Sequence, residues 1–161
     1  MSRSADGPRR AYLAGAMELA PDRGRAWRER LLPVLVELGH DWFNPCEEEL
    51  VVASDEERAR FREWKAAGHD DFVPLMRRII DHDLAALRAA DYVVCYWDEH
   101  AQRSGGTPAE VTLGHVWGKP VYLVRAIDRS EVSSWVQGCA SMAFDSLDDL
   151  FAYLRQEYGT R

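Results

Sequence analysis

Cysteine is scarce in this chain. Cys46, Cys95 and Cys139 are its only three among 161 residues, an odd number without any Cys-x-x-Cys pair, so neither a disulfide framework nor a cysteine zinc site is expected. All three read as reduced thiols, and Cys95, inside an apolar run, reads as a small core residue. Positive charge is also in deficit. A net charge of −7 argues against a protein that grips a nucleic-acid backbone, although a small phosphate pocket needs only a few donors. No apolar run approaches membrane-spanning length, and Met1 to Arg10 is polar, without the apolar centre of a signal peptide. A cytoplasmic location with no membrane partner is expected. There is no internal repeat and no low-complexity tract. With 47% hydrophobic and 29% charged residues, the chain has the balance of one domain over 1–161, with 1–10 expected to be disordered.

What remains is a regular alternation. Ala11–Met17 is a short apolar segment, and Arg23–Leu38 then carries Trp27, Leu31, Val34, Leu35 and Leu38 at helical spacing. Gly39 ends that helix, and His40–Phe43 predicts a second strand stopping at Asn44-Pro45. From 46 to 68 the pattern weakens into an insertion with a short charged helix. Its Arg58, Arg60, Phe61, Arg62, Trp64 and Lys65 either form a solvated face or belong to a lid that covers a ligand. A longer helix follows, capped by Asp70 or Asp71, with an apolar stripe from Phe72 to Leu87. Asp91–Trp97 is apolar enough to be a central parallel strand. A helix over about Thr107–Trp117, a strand at Pro120–Val124, a short segment at Glu131–Gly138, a strand at Met142–Phe144 and a helix over Ser146–Tyr158 complete the chain. The alternation predicts an α/β, doubly wound sheet of about five parallel strands with helices on both faces, and ligands at the strands' carboxyl ends.

That edge should collect the loop Gly15 to Glu18, the helix bearing Asp83, the turn Ser104 to Glu110 and the loop near Ser133. In Ser104-Gly-Gly-Thr-Pro-Ala-Glu110, the glycines permit positive φ and close approach to a ligand, and Pro108 suits a helix start. They are not followed by Gly-Lys-Ser/Thr, so a Walker-type phosphate loop is disfavoured. Glu110 has two readings. Thr107-x-x-Glu110 is a capping-box pattern, in which the glutamate bonds back to the Thr107 amide. Alternatively, Glu110 is a nucleophile, held ionised by the helix N-terminus and able to attack an anomeric carbon. Asp83 could then serve the leaving group and the Tyr12 hydroxyl could orient the nucleophile; their plainer readings are a surface carboxylate and a packing tyrosine. His69-Asp70 and His82-Asp83 superficially suggest a His-Asp metal hydrolase, but such enzymes are all-helical and need further ligands, so no metal site is expected.

The order and spacing of Tyr12-Leu-Ala-Gly15, of Asp83 ahead of Ala90-Asp91 and its strand, and of Gly106-Thr107, Glu110 and Gly118-Lys-Pro-Val121 resemble the nucleoside 2-deoxyribosyltransferase-like superfamily. That superfamily includes nucleoside 2′-deoxyribosyltransferases and nucleoside 5′-monophosphate N-glycosidases. The resemblance implies a flavodoxin-like fold, a homodimer or higher even oligomer, no cofactor, and cleavage of an N-glycosidic bond through a covalent ribosyl-glutamate. It implies Glu110 as nucleophile, Asp83 as the carboxylate that handles the departing base, and Tyr12 as the positioning tyrosine. Where deoxyribosyltransferases carry an aspartate six residues before the nucleophile, this chain has Ser104, which with Gly106 is similar to the monophosphate branch. Ser133 matches a residue supplied by a neighbouring subunit. Gly15, Met17 and Glu18 would meet the substrate, Glu18 being unusual there. The substrate implied is a nucleoside or nucleotide, with hydrolysis, base exchange and noncatalytic nucleotide binding as the alternatives.

Overall fold

The structure, a computed structural model, describes residues 7–159. Its strands are β1 (Arg10–Gly15), β2 (Asp41–Phe43), β3 (Tyr92–Trp97), β4 (Val121–Arg125) and β5 (Met142–Phe144). They form one sheet in the order β2-β1-β3-β4-β5, and every pairing is parallel. This is the doubly wound sheet that alternation implied, in the flavodoxin-like arrangement that the resemblance implied, with the strand order reversing between β1 and β3.

Seven helices accompany it among the described residues: α1 (Arg25–Glu37), α2 (Pro45–Val52), α3 (Asp55–Ala67), α4 (Phe72–Ala89), α5 (Gly106–Val116), α6 (Ser134–Cys139) and α7 (Leu147–Tyr158). The two-residue period of β1 sends Ala11 and Leu13 to one face, where they join Leu31, Leu35, Leu150 and Leu154 of α1 and α7. Tyr12 and Ala14 point to the other face, into a core with Leu87 of α4, Val111 of α5 and Val136 of α6. No described helix is long and apolar enough to cross a membrane.

Two expectations change here. Arg9 and Arg10, expected within a disordered 1–10, are ordered, since Arg10 opens β1 and the Arg9 carbonyl accepts the Asp41 amide at 2.8 Å; residues 1–6 lie outside the described ones. The insertion at 46–68 carries two helices instead of one. Ser54 and Glu57 form a reciprocal capping box that starts α3, a pattern hidden inside the charged run. Trp64, Ala53 and Leu75 make a small separate core that seats α3 on α4. Asp71 precedes α4 without a side-chain cap hydrogen bond. The apolar stripe of α4 is divided: Leu75 and Leu87 are fully buried, Ile80 is exposed, and Met76 and Ile79 line a cavity.

Candidate active site

The cavity, about 530 Å³ in volume, opens at the carboxyl end of β1 and is closed over by α3 and α4. Glu110 reaches it from the first turns of α5, and Asp83 from α4. Tyr12, wholly buried, stacks on Phe43 of β2 with ring centres 5.2 Å apart. Its hydroxyl donates to Glu110 Oε1 at 2.6 Å. The parity of β1 and the placement of α5 thus join residues 98 positions apart.

Burial pushes the Glu110 carboxyl above its ordinary range, opposed by the Tyr12 hydrogen bond and the Arg28 charge. Glu110 lies beyond the first turn of α5, the turn where the sequence reading put it, and the groups that favour its charged form are Tyr12 and Arg28. Burial first, then the charges of Glu110 and Asp83, drive the Tyr12 phenol far above its ordinary range. It stays a protonated donor at every working pH.

The capping-box reading of Thr107 and Glu110 fails on geometry. Helix α5 begins at Gly106, which puts Thr107 inside the helix. Its amide and hydroxyl both donate to Ser104 Oγ, at 3.4 Å each, and Glu110 bonds to Tyr12 instead. Ser104 thus ties down the turn from outside the helix. Nor do Gly105 and Gly106 adopt positive φ. A Cβ at either would meet no atom within 4 Å, and both line the cavity; glycine there leaves ligand space open. Gly15 has a different constraint, since a Cβ would lie 2.9 Å from Trp27 Cζ2.

Gly15, Met17, Glu18, Ser104 and Gly106 all line the same cavity as Glu110 and Asp83. Ser133 does not: it precedes α6, exposed and outside the cavity lining. Glu18 is ion-paired with Lys65 of α3. Arg58, Phe61, Arg62 and Lys65 of α3 face the cavity, as a lid would, while Trp64 is buried and stacked on His69 at 4.9 Å. With Arg23 and Arg103, five basic side chains line the cavity against the acids Glu18, Asp83 and Glu110. The local charge is positive in a chain that is acidic overall. The His-Asp pairs are not convergent: His82 contacts Glu48 at 3.2 Å and His69 contacts Asp71 at 3.6 Å. Among the described residues no three His, Cys, Asp or Glu side chains group as metal ligands.

Sequence reasoning missed Arg28. It is 1% exposed, its guanidinium lies 4.5 Å from the Trp27 ring centre, and it donates to the carbonyls of Gly24 at 2.9 Å and of Leu13 and Gly15 at 3.2 Å. The signal was an arginine on the apolar stripe of α1, one turn before Leu31 and two before Leu35. Asp22 completes the loop by accepting the Gly24 and Ala26 amides at 2.8 and 2.9 Å, bonds that hold its carboxyl below the usual range.

No protein-family model and no curated protein matches the chain in sequence. Solved structures do match in fold. A 2-deoxyribosyltransferase from Bacillus psychrosaccharolyticus superposes with a TM-score of 0.64 at 20% identity, over 89% of this chain and 91% of that one. A conserved protein from Enterococcus faecalis V583 gives 0.61 at 14% identity, over 93% and 99%. The CMP N-glycosidase BcmB from Clostridium botulinum gives 0.54 at 14% identity, over 92% and 98%. At these identities the likeness shows a shared fold, the one that the sequence resemblance implied.

Proposed function

We propose that this chain cleaves the N-glycosidic bond of a nucleoside 5′-monophosphate or nucleoside, with Glu110 as nucleophile and water as the final acceptor. The observation that carries the reading is the 2.6 Å hydrogen bond from the buried Tyr12 hydroxyl to Glu110 at the cavity wall, with Asp83 lining the same space. Glu110 attacks C1′ of the sugar, forming a carboxylate–C1′ ester as the C1′–N bond breaks. The bond's electron pair leaves with the base, which takes a proton from Asp83. Water then attacks C1′, gives its proton to Asp83 and frees the Glu110 carboxylate.

Tyr12 fixes which Glu110 oxygen is left free to attack. The positive cavity lining, with Ser104 and the open space beside Gly105 and Gly106, supports a phosphorylated substrate; a second aspartate beside Glu110 would repel one. Gly15, Met17 and Glu18 contact the sugar or base. On this reading the enzyme is cytoplasmic, needs no metal or organic cofactor, and does not bind nucleic acid or membrane. Ser133 contributes to a ligand site only from a neighbouring copy, so the working unit is a homodimer or higher even oligomer, to be tested by light scattering.

A time course over a panel of nucleosides and nucleotides, with and without a second free base, tests the reaction. Base release alone is the expected result. A new nucleoside formed from the added base identifies a deoxyribosyltransferase instead. Saturable ligand binding with neither release nor exchange identifies a noncatalytic nucleotide-binding module.

A further inference from the structure

Arg28 is a buried cation whose hydrogen bonds do not call for a charge. Its partners are neutral carbonyls, which an uncharged donor could satisfy, and among the described residues it makes no ion pair. Its Nε has no hydrogen-bond partner there either. Withdrawing a guanidinium from water is costly unless a nearby negative charge offsets it. Its site explains the arrangement: Nη2 binds the carbonyls of Leu13 and Gly15 at the end of β1, the strand whose Tyr12 hydroxyl holds Glu110.

We infer that Arg28 is a positioning residue that acts through space on Glu110, holding its carboxylate charged in a buried site while stapling the substrate-facing loop to the end of β1. This rests on the proposed role of Glu110. The other titratable groups around Glu110 are Tyr12 on β1, Cys95 on β3 and Asp83 on α4, and the cavity that it lines also carries Glu18, Arg23 and Arg103 from loops and Arg58, Arg62 and Lys65 from α3. Burial drives the Tyr12 phenol and the Cys95 thiol far above their ordinary ranges, so both remain neutral where Glu110 titrates. Asp83 is itself a carboxyl group and supplies no positive charge. Arg28 is the fully buried cation in the set, where solvent screens least, and a guanidinium keeps its proton even when buried. Its bonds to Gly24, Leu13 and Gly15 also brace the loop that carries Met17, Glu18 and Arg23 to the cavity.

The test is to follow the Glu110 carboxyl by carbon-13 NMR through a pH titration, in the full chain and in Arg28→Met, Arg28→Gln and Arg28→Lys. Glu110→Gln supplies the resonance assignment. Met and Gln remove the charge, and Gln keeps donors for the carbonyls should Met fail to fold. The Glu110 titration should move to higher pH in the neutral variants and stay near the wild-type midpoint in Arg28→Lys. With the nucleotide that proves to be a substrate, kcat/KM of a neutral variant should fall roughly tenfold at the acidic end of the profile and recover as pH rises. An unmoved Glu110 titration in a folded neutral variant overturns the inference, as does an equal movement in Arg28→Lys. The titration needs no turnover: a shift in a chain that cleaves nothing would uphold the Arg28–Glu110 coupling while refuting the proposed reaction.

Discussion

The Tyr12 hydroxyl, at the buried centre of β1, donates to Glu110 Oε1 of α5 at 2.6 Å. A short bond to a half-buried carboxylate both orients it and favours its charged form. Tyr12→Phe tests the relationship with little structural change, because the ring keeps its stack on Phe43. A hydrogen bond to a charged group contributes about 1.5–3 kcal/mol, so kcat should fall roughly ten- to hundredfold with KM nearly unchanged. Loss of the bond also raises the Glu110 pKa further, and the acidic limb of the rate profile should move to higher pH.

Glu110→Gln should abolish turnover, by at least about a thousandfold, and yet stabilise the fold. Burial raises the Glu110 pKa above its unfolded value, so the folded chain binds this proton more tightly than the unfolded one. The associated stability is fully present below the unfolded pKa and is lost as pH rises through the folded pKa. The melting temperature of Glu110→Gln relative to wild type should therefore increase from pH 4 to pH 8. Each kcal/mol recovered is worth roughly 2–4 °C in a domain of this size. Thermal denaturation at several pH values checks it.

Ser104 accepts from Thr107 at 3.4 Å, a weak contact whose loss in Ser104→Ala should cost no more than about 1 kcal/mol. Ser104→Asp should weaken phosphorylated ligands much more than their unphosphorylated counterparts, because it places a negative charge beside the 5′ end. Calorimetric titration of a nucleoside and its monophosphate makes the comparison.

Lys65 of α3 reaches across to Glu18 in the loop after β1. Both side chains are about half exposed, so the pair contributes little to global stability, but it links the helix covering the cavity to the cavity-lining loop. Lys65→Ala should leave the melting temperature nearly unchanged and raise KM roughly threefold at low salt, a difference that shrinks as salt screens the wild-type pair. Steady-state kinetics at two ionic strengths decide it.

Gly15→Ala should destabilise by about 1–3 kcal/mol, the usual cost of overpacking. The added Cβ would press on Trp27, which is itself stacked on Tyr96 at 5.4 Å. A denaturant melt reads the loss.

The fold was legible because its strands are short apolar blocks separated by amphipathic helices, a pattern that β1, α1, β3, β4 and α7 follow within a residue or two of the expected limits. The lining of the candidate site was legible where local spacing mattered: Gly15, Met17, Glu18, Asp83, Ser104, Gly106 and Glu110 share one cavity. Sequence misled where two local rules compete. Thr107 and Glu110 fit a capping box, but the N-cap is Gly105, two residues before Thr107, and Tyr12 takes the carboxylate. The Ser54–Glu57 capping box was real and went unseen among charges. Arg28 could not be assigned from sequence, because its meaning depends on the end of β1 lying against α1.

The most direct test of the account is a covalent trap. Chain mixed with a cleavable nucleotide, quenched in acid within the first turnover and digested, should yield the peptide containing Glu110 with the added mass of the ribosyl group, and Glu110→Gln should yield none. Base release that proceeds undiminished in Glu110→Gln, with no adduct on the wild-type peptide, would contradict it.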